Sequence, residues 1–422
     1  MIILNKSITA QGGQSATGDF IIDDNAPGYF VVTTDTVTDT VTAGNATATA
    51  TTGDISYDTI FFGNGAGDYV ETGSATATAT TTAPAGTSTA TANATGNIIY
   101  DLITFGNGNG DYVETSGNAT ATATSPGTAD ATATSGGSIS NDIITFGNGN
   151  GDYVQFTATI ADSATSSAGS ATATSNPNFG NIANDIITFG DGNGDSVGTA
   201  VFSFAEHPTG NPSTFLIGPI TFGNITNDII TFGSGNNDTV FNNGNISNDV
   251  ITFGKGNDDY VKGSDGGNNK ITFGNGNDDT INLFGPGSGP GPGGDYIATG
   301  TGSGDTVNVG AHTNADAFAF ALGTNGTNFT TVRGAATGDH VELNGSELGS
   351  KLVSASTGDT TLTSFISSLG TLAKGDTYVG FNTTTNDTFI VTDGSSGQTG
   401  AIELTGVAFQ HSTLANHVLT LA

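Results

Sequence analysis

Residues 141–154 read NDIITFGNGNGDYV. Two kinds of segment alternate in this stretch. Asp142-Ile143-Ile144-Thr145-Phe146 alternates its side chains as a short strand with one buried face does. Gly147-Asn148-Gly149-Asn150-Gly151 reads as a tight turn, because glycine takes positive φ without steric cost. Within and just before the stretch a smaller unit occurs twice: a Gly, an Asp five positions later, and an aliphatic residue two positions after that. Gly137, Asp142 and Ile144 make one copy, and Gly147, Asp152 and Val154 the other.

The same pattern recurs along the chain. It is YDTIFFGNGAGDYV at 57–70, YDLITFGNGNGDYV at 100–113, NDIITFGDGNGDSV at 184–197, NDIITFGSGNNDTV at 227–240 and NDVITFGKGNDDYV at 248–261. NKITFGNGNDDTI at 269–281 is one residue shorter. The paired Asp residues fall ten apart: Asp58 and Asp68, Asp101 and Asp111, Asp142 and Asp152, Asp185 and Asp195, Asp228 and Asp238, Asp249 and Asp259. A turn plus a short strand, repeated, predicts a parallel β-roll.

GNGNDDTI (274–281), GKGNDDYV (254–261) and GTGSGDTV (300–307) resemble the RTX nonapeptide GGxGxDxUx, and the resemblance covers roughly residues 53–309. It implies that turn carbonyls and Asp side chains of stacked turns hold Ca²⁺. The best-matched ligands are Asp68, Asp111, Asp152, Asp195, Asp238, Asp259, Asp279 and Asp305. Two departures stand out. The period is ten rather than nine, and segments such as GNIAND, GNITND and GNISND carry Ile where the family has Gly. For Asp58, Asp101, Asp142, Asp185, Asp228 and Asp249 there are therefore two readings: a Ca²⁺ ligand, or an Asp that caps its own turn.

Equivalent Asp residues are unevenly spaced. Asp228 to Asp249 is 21 residues, whereas Asp58 to Asp101 and Asp142 to Asp185 are 43. The excess is Ala-Thr sequence, such as SATATATTTAPAGTSTATANATG at 74–96 and NATATATSPGTADATATSGG at 118–137. Each insert reads as strand, Pro/Gly turn, strand, with Ala on one face and Thr on the other. It is either an additional coil or a lateral extension of a longer coil. An additional coil would put same-face Asp residues about 9–10 Å apart, too far to share one Ca²⁺ with ligands at ~2.3–2.6 Å. A lateral extension leaves them one strand spacing apart.

Composition agrees with a thin, repetitive architecture. The 422 residues include 65 Gly, no Cys and no Trp, and only 7 Lys+Arg against 39 Asp+Glu, a formal charge of −32. Of the acids 33 are Asp and 6 are Glu, and Asp suits both tight turns and calcium. Without a basic patch, nucleic acid is not an expected partner. Without Cys there is no disulfide framework, so stabilisation by a metal is expected. No apolar run approaches the ~20 residues of a membrane-spanning helix. The opening MIILNKSITAQGG lacks the features of a cleaved secretory leader. None of the five His lies in an HExxH motif, and neither a thiol nucleophile nor a GxSxG elbow is present, so no catalytic role is expected.

The sequence thus predicts an all-β chain. Residues 1–35 form a cap or assembly segment, 36–310 a parallel β-solenoid with Ala/Thr-rich strand extensions, and 311–422 a small β-rich domain with a helical turn near 362–372. The last region resembles the C-terminal domains of RTX and surface-layer proteins exported by type I secretion, which carry an uncleaved C-terminal signal. That resemblance implies a secreted or cell-surface protein of a Gram-negative bacterium. Its expected partners are Ca²⁺, the type I secretion machinery, cell-surface polysaccharide and copies of itself. Two roles fit: a self-assembling surface layer or matrix fibre, or an adhesin or ice/surface-binding protein using Thr-rich ladders. The apolar strand Met1-Ile2-Ile3-Leu4 favours assembly, since an unblocked β-edge recruits another chain.

Overall fold

A computed structural model describes residues 8–11, 16–17, 20–22, 28–167, 169–206, 213–217, 222–284, 291–321, 327–344, 351–370, 376–393, 399–406, 409, 413–415 and 418–422; for 8–22, 176, 200–217, 320–328, 343–356, 393 and 399 the description is of backbone alone. Among the described residues the chain is all-β apart from one helix, Leu362–Leu369. It divides into two compact units, one of residues 1–189 and 196–225, the other of 190–195 and 226–422. Among the described residues no helix is long and apolar enough to cross a membrane.

In the first unit every coil repeats the same three strands, as in Ile98–Ile99, Leu102–Thr104 and Tyr112–Ser116. Each pairs in parallel, and in register, with its counterparts in the coils before and after. The core is a set of single-residue columns. Ile55, Ile98, Ile139 and Ile182 form one, Ile60, Ile103, Ile144 and Ile187 another, and Val70, Val113, Val154 and Val197 a third, all at most 1 % exposed. Phe105, Phe146 and Phe189 stack with ring centroids 4.8 Å apart, the spacing of neighbouring strands.

The Ala-Thr inserts are lateral extensions. Tyr69–Thr81 continues past the roll, turns at 82–86, and returns as Thr87–Ala94. The return strands Ala46–Thr51, Thr87–Ala94, Thr128–Ser135, Ala171–Asn176 and Ser213–Ile217 form a parallel five-stranded sheet of their own. Outgoing and return strands face each other through alanine: Ala75, Ala77, Ala79, Ala90, Ala92 and Ala121 are fully buried in one cluster. Strict alternation turns Thr outward, and the threonines align from coil to coil, as Thr36 with Thr76 and Thr78 with Thr122.

Residues 8–22 add strands to the first coil. Ile8–Gln11 pairs with residues 31–34, Ala16–Thr17 with 55–56, and Phe20–Ile22 with 59–61, all in parallel. This segment therefore extends its own solenoid, while Met1-Ile2-Ile3-Leu4 lies outside the described residues. The expected break at 35/36 falls inside one strand, Phe30–Val41. That strand also blocks an edge. Ala46–Thr51 is the outermost strand of the return sheet, and its Thr47 and Thr51 N–H groups donate to Asp39 Oδ2 (2.7 Å) and Asp35 Oδ2 (2.8 Å). Both Asp occupy positions that are Ala in the next coil, aligned with Ala79 and Ala75. Inward-pointing charge of this kind prevents edge-to-edge pairing.

Among the described residues the second unit has short coils without Ala-Thr extensions. Ile229–Thr231, Val250–Thr252, Lys270–Thr272 and Tyr296–Ala298 pair in parallel one after another. Parallel pairing continues past the expected break at 310, to Ala317–Ala321 and His340–Asn344, where Val418–Thr420 and then Thr413–Ala415 add antiparallel strands. Beyond residue 350 a small antiparallel set, Asp376–Asn382, Asp387–Asp393 and Thr399–Thr405, packs with the helix through Leu362, Phe365, Phe389, Val391 and Ala401.

Candidate metal centre

All fourteen predicted Asp residues are buried, at most 3 % exposed. They form two series, one in each of the two turns of a coil. Each is preceded by a residue at positive φ, such as Gly110 (70°) before Asp111 or Asn248 (60°) before Asp249. That residue bends the chain so that the Asp side chain reaches the neighbouring coil.

In the Gly-rich series, the N–H of Asp68 donates to Asp111 Oδ1 and that of Asp111 to Asp152 Oδ1, both at 3.0 Å. In the second unit Asp195 donates to Asp238 Oδ1 at 3.1 Å, Asp238 to Asp259 and Asp259 to Asp279 at 3.0 Å, and Asp279 to Asp305 at 3.2 Å. Oδ1 is thus committed to the backbone. Among the described residues, Oδ2 of Asp68, Asp111, Asp238, Asp279 and Asp305 is buried with no hydrogen-bond partner. Leaving such an oxygen unmatched costs on the order of 1–3 kcal/mol.

The glycine turn shapes the space beside that oxygen. A Cβ on Gly108 would collide with both the Gly65 carbonyl oxygen and Asp111 Oδ2. One on Gly149 would meet the Gly108 carbonyl and Asp152 Oδ2, one on Gly256 the Gly235 carbonyl and Asp259 Oδ2, and one on Gly276 the Gly256 carbonyl and Asp279 Oδ2. A carboxylate oxygen and a carbonyl oxygen of the preceding coil therefore close on the same spot, coil after coil. Both are hard oxygen acceptors, the donor type that hard cations take.

The second series is built differently. Asp101, Asp142 and Asp249 accept the preceding Asp N–H on Oδ1, at 2.6, 2.7 and 2.8 Å. Oδ2 accepts the N–H two residues back, from Ile99, Ser140 and Ser247 at 3.2, 3.0 and 2.9 Å. Asp185 does the same with Asp142 and Ala183. Asp58 donates to Asp101, and Asp228 Oδ2 accepts the Thr226 N–H. Sequence reasoning missed that Asp295, Asp316 and Asp339 continue this series, taking N–H groups of Asn269, Asp295 and Asp316 at 2.7, 3.0 and 3.0 Å. The signal was present in DYI, DAF and DHV, each an Asp two residues before an apolar side chain.

Burial raises these carboxyls despite their backbone hydrogen bonds, and neighbouring Asp residues push most of them further. Asp111, Asp238 and Asp305 rise to about 7, Asp279 to about 8 and Asp259 to about 6. In the second series Asp101 and Asp249 rise to about 7, and Asp142 and Asp185 to about 8. Among the described residues no three His, Asp or Glu side chains converge as metal ligands. A Gly-rich turn would instead draw most of its ligands from carbonyls, which a search for clustered acids does not count. Compared with family models, curated proteins and solved structures, the chain matches none.

Proposed function

We propose that this protein is a secreted, calcium-dependent structural protein that assembles with copies of itself on or outside the cell, as a surface layer or matrix fibre. The observation that carries this reading is the row of buried Asp Oδ2 atoms without partners beside the glycine carbonyls. Asp68, Asp111, Asp152, Asp195, Asp238, Asp259, Asp279 and Asp305, with turn carbonyls, would hold Ca²⁺. The ion supplies the positive charge that neutralises the ladder. Asp58, Asp101, Asp142, Asp185, Asp228 and Asp249 cap turns. A chain of formal charge −32 whose sites do not exist when unfolded would gain folding energy directly from the metal. Calcium-poor cytosol would keep it unfolded for type I export, and calcium outside would fold it. With so many acids committed to backbone hydrogen bonds, the role is structural rather than catalytic.

Circular dichroism during a Ca²⁺ titration, paired with electron microscopy in Ca²⁺ and in chelator, tests both halves. The reading requires a β-spectrum and ordered polymer with Ca²⁺ and neither without it. An unchanged β-spectrum in chelator refutes the calcium half, and a folded, calcium-loaded monomer at high concentration refutes the assembly half.

One observation favours a second reading, adhesion to an ordered surface such as ice. The outward threonines are in register on both extension sheets, as Thr78 with Thr122 on the outgoing strands and Thr49 with Thr91 on the return strands. Retention of the protein on growing ice would support that reading.

A further inference from the structure

The second Asp series ends differently from the way it begins. Asp316 and Asp339 are its last members, and the side chain of His312, only 3 % exposed, lies against both. Its Nδ1 is 2.9 Å from the Gly310 carbonyl oxygen and 3.5 Å from Asp316 Oδ2; its Nε2 is 3.1 Å from Asp339 Oδ1. A carbonyl oxygen only accepts, so Nδ1 carries a proton. Asp339 already accepts the Asp316 N–H on Oδ1 (3.0 Å) and the Ala336 N–H on Oδ2 (2.8 Å). Both oxygens of Asp339 are thus engaged as acceptors, and Nε2 faces Oδ1 as a donor as well. An imidazole with both nitrogens protonated is a cation.

We infer that His312 is a built-in counter-ion, a protonated imidazole that closes the C-terminal end of the Asp ladder with a proton in place of a metal. The groups that face it are Asp316 in its own turn and Asp339 in the next coil. Asp295 stands behind Asp316, whose Oδ1 accepts its N–H, and Asp265 stands behind Asp295, sharing its charge field and holding the Gly293 N–H on Oδ2 at 3.0 Å. His340, beside Asp339, engages Thr420 Oγ1 instead. Burial opposes the charged form of His312, but the Gly310 carbonyl and the two carboxylates outweigh it, so the pKa is raised. The sign follows: stability from this contact is complete below the ordinary histidine value of about 6.5 and is lost as pH rises through the higher folded value. Acid tightens this end of the solenoid, and alkali loosens it.

The inference does not depend on which residues hold calcium, so its test runs in saturating Ca²⁺, where the proposed reading has the chain folded. Full-length protein labelled in histidine is titrated by NMR alongside His312→Gln and Asp339→Asn. The expected result is one histidine signal, absent from H312Q, that titrates above about 6.5 and moves down in D339N. Amide exchange near 316–341 should speed up in H312Q at pH 6 and match wild type at pH 9. If every histidine signal in the folded protein titrates at or below the ordinary value, the inference is overturned. If H312Q does not fold, D339N still identifies the signal by its shift, and a raised signal indifferent to D339N overturns the inference too.

Discussion

The two Asp series share a residue type, a depth of burial and a hydrogen bond to the preceding coil, yet Asp101, Asp142, Asp185 and Asp249 commit both oxygens to backbone N–H groups, whereas Asp68, Asp111, Asp238, Asp279 and Asp305 leave Oδ2 over. The difference lies three residues upstream. In the Gly-rich series that position is Gly, as Gly256 before Asp259, and the preceding coil's carbonyl comes close enough to exclude any side chain. In the other, from Asp58 to Asp249, it is Ile, as Ile246 before Asp249, fully buried in the core. With Ile turned inward, the backbone two residues before the Asp presents its N–H to Oδ2. With Gly, a carbonyl stands there instead. One side chain therefore decides whether an Asp becomes a cap or a candidate ligand, and the comparison can be broken at several points.

The largest effect should come from removing ligand charge. Asp238→Asn and Asp259→Asn should each lower calcium affinity at least about tenfold, ~1.4 kcal/mol, because oxygen-ligand sites are tuned by their charge count. Asp249→Asn should leave affinity unchanged and cost under about 1 kcal/mol. The chain already contains this control. Asn269 holds a place in the second series, accepting the Asp249 N–H on Oδ1 (3.2 Å) and donating Nδ2 to the Ile246 carbonyl (3.0 Å). Isothermal titration calorimetry on the three variants decides, and equal losses for Asp238 and Asp249 would erase the distinction between the series.

Next comes pH. Carboxyls raised to about 7–8 hold protons that the unfolded chain, with Asp near 3.8, has released. The metal-free protein is therefore most stable in acid and loses stability as pH rises from about 4 to about 8. Calcium should cancel the part of this slope that comes from the Gly-rich series, because an ion replaces the proton. Melting curves from pH 5 to 9, with and without Ca²⁺, measure it. A metal-free protein that grows more stable toward pH 8 contradicts the shifts.

Much of this was legible in the sequence, for a physical reason. A solenoid stacks identical coils, so a core column such as Ile60, Ile103, Ile144 and Ile187 appears as a repeated letter at a fixed place. The Ile-for-Gly departure likewise set the two Asp series apart before any coordinates. What the sequence hid does not repeat. Asp35 and Asp39 break Ala alternation in one coil only, and their bonds to Thr51 and Thr47 exist only because the return strand comes back beside them. His312 meets Asp339 across 27 residues, a distance set by coil length rather than by any motif.

A smaller effect should follow from filling the cradle. Gly256→Ala places a methyl against the Gly235 carbonyl and 3.0 Å from Asp259 Oδ2. Overpacking of this kind costs about 1–3 kcal/mol, and here it should also weaken calcium binding, since the displaced atoms are the candidate ligands. A variant that melts lower but binds calcium normally would show that the glycine serves only the turn.

The smallest effect concerns the residue before each of the fourteen predicted Asp, which adopts positive φ in both series. The Gly-rich series uses Gly67, Gly110, Gly151 and Gly194, then Asn237, Asp258 and Asp278, and Gly304 at its end. The second series uses Asn141, Asn184, Asn227, Asn248 and Asn268, but begins with Tyr57 (59°) and Tyr100 (62°). Left-handed backbone costs a bulky residue roughly 1–2 kcal/mol, whereas Asn visits it readily. The tyrosines recover part of that cost. Their rings stack with centroids 5.1 Å apart, a contact worth roughly 0.5–1.5 kcal/mol, though at 63 % and 51 % exposure much of it faces solvent. Strain is relieved at two positions while only one stacking contact is lost. The double variant Tyr57→Asn/Tyr100→Asn should therefore be more stable than wild type, by up to about 1 kcal/mol. Either single variant should gain less, because it forfeits the same stack for half the relief. Chemical denaturation of the three variants gives the ordering, and a double variant less stable than both singles would mean that the tyrosine pair stabilises the first coils more than its backbone strain costs.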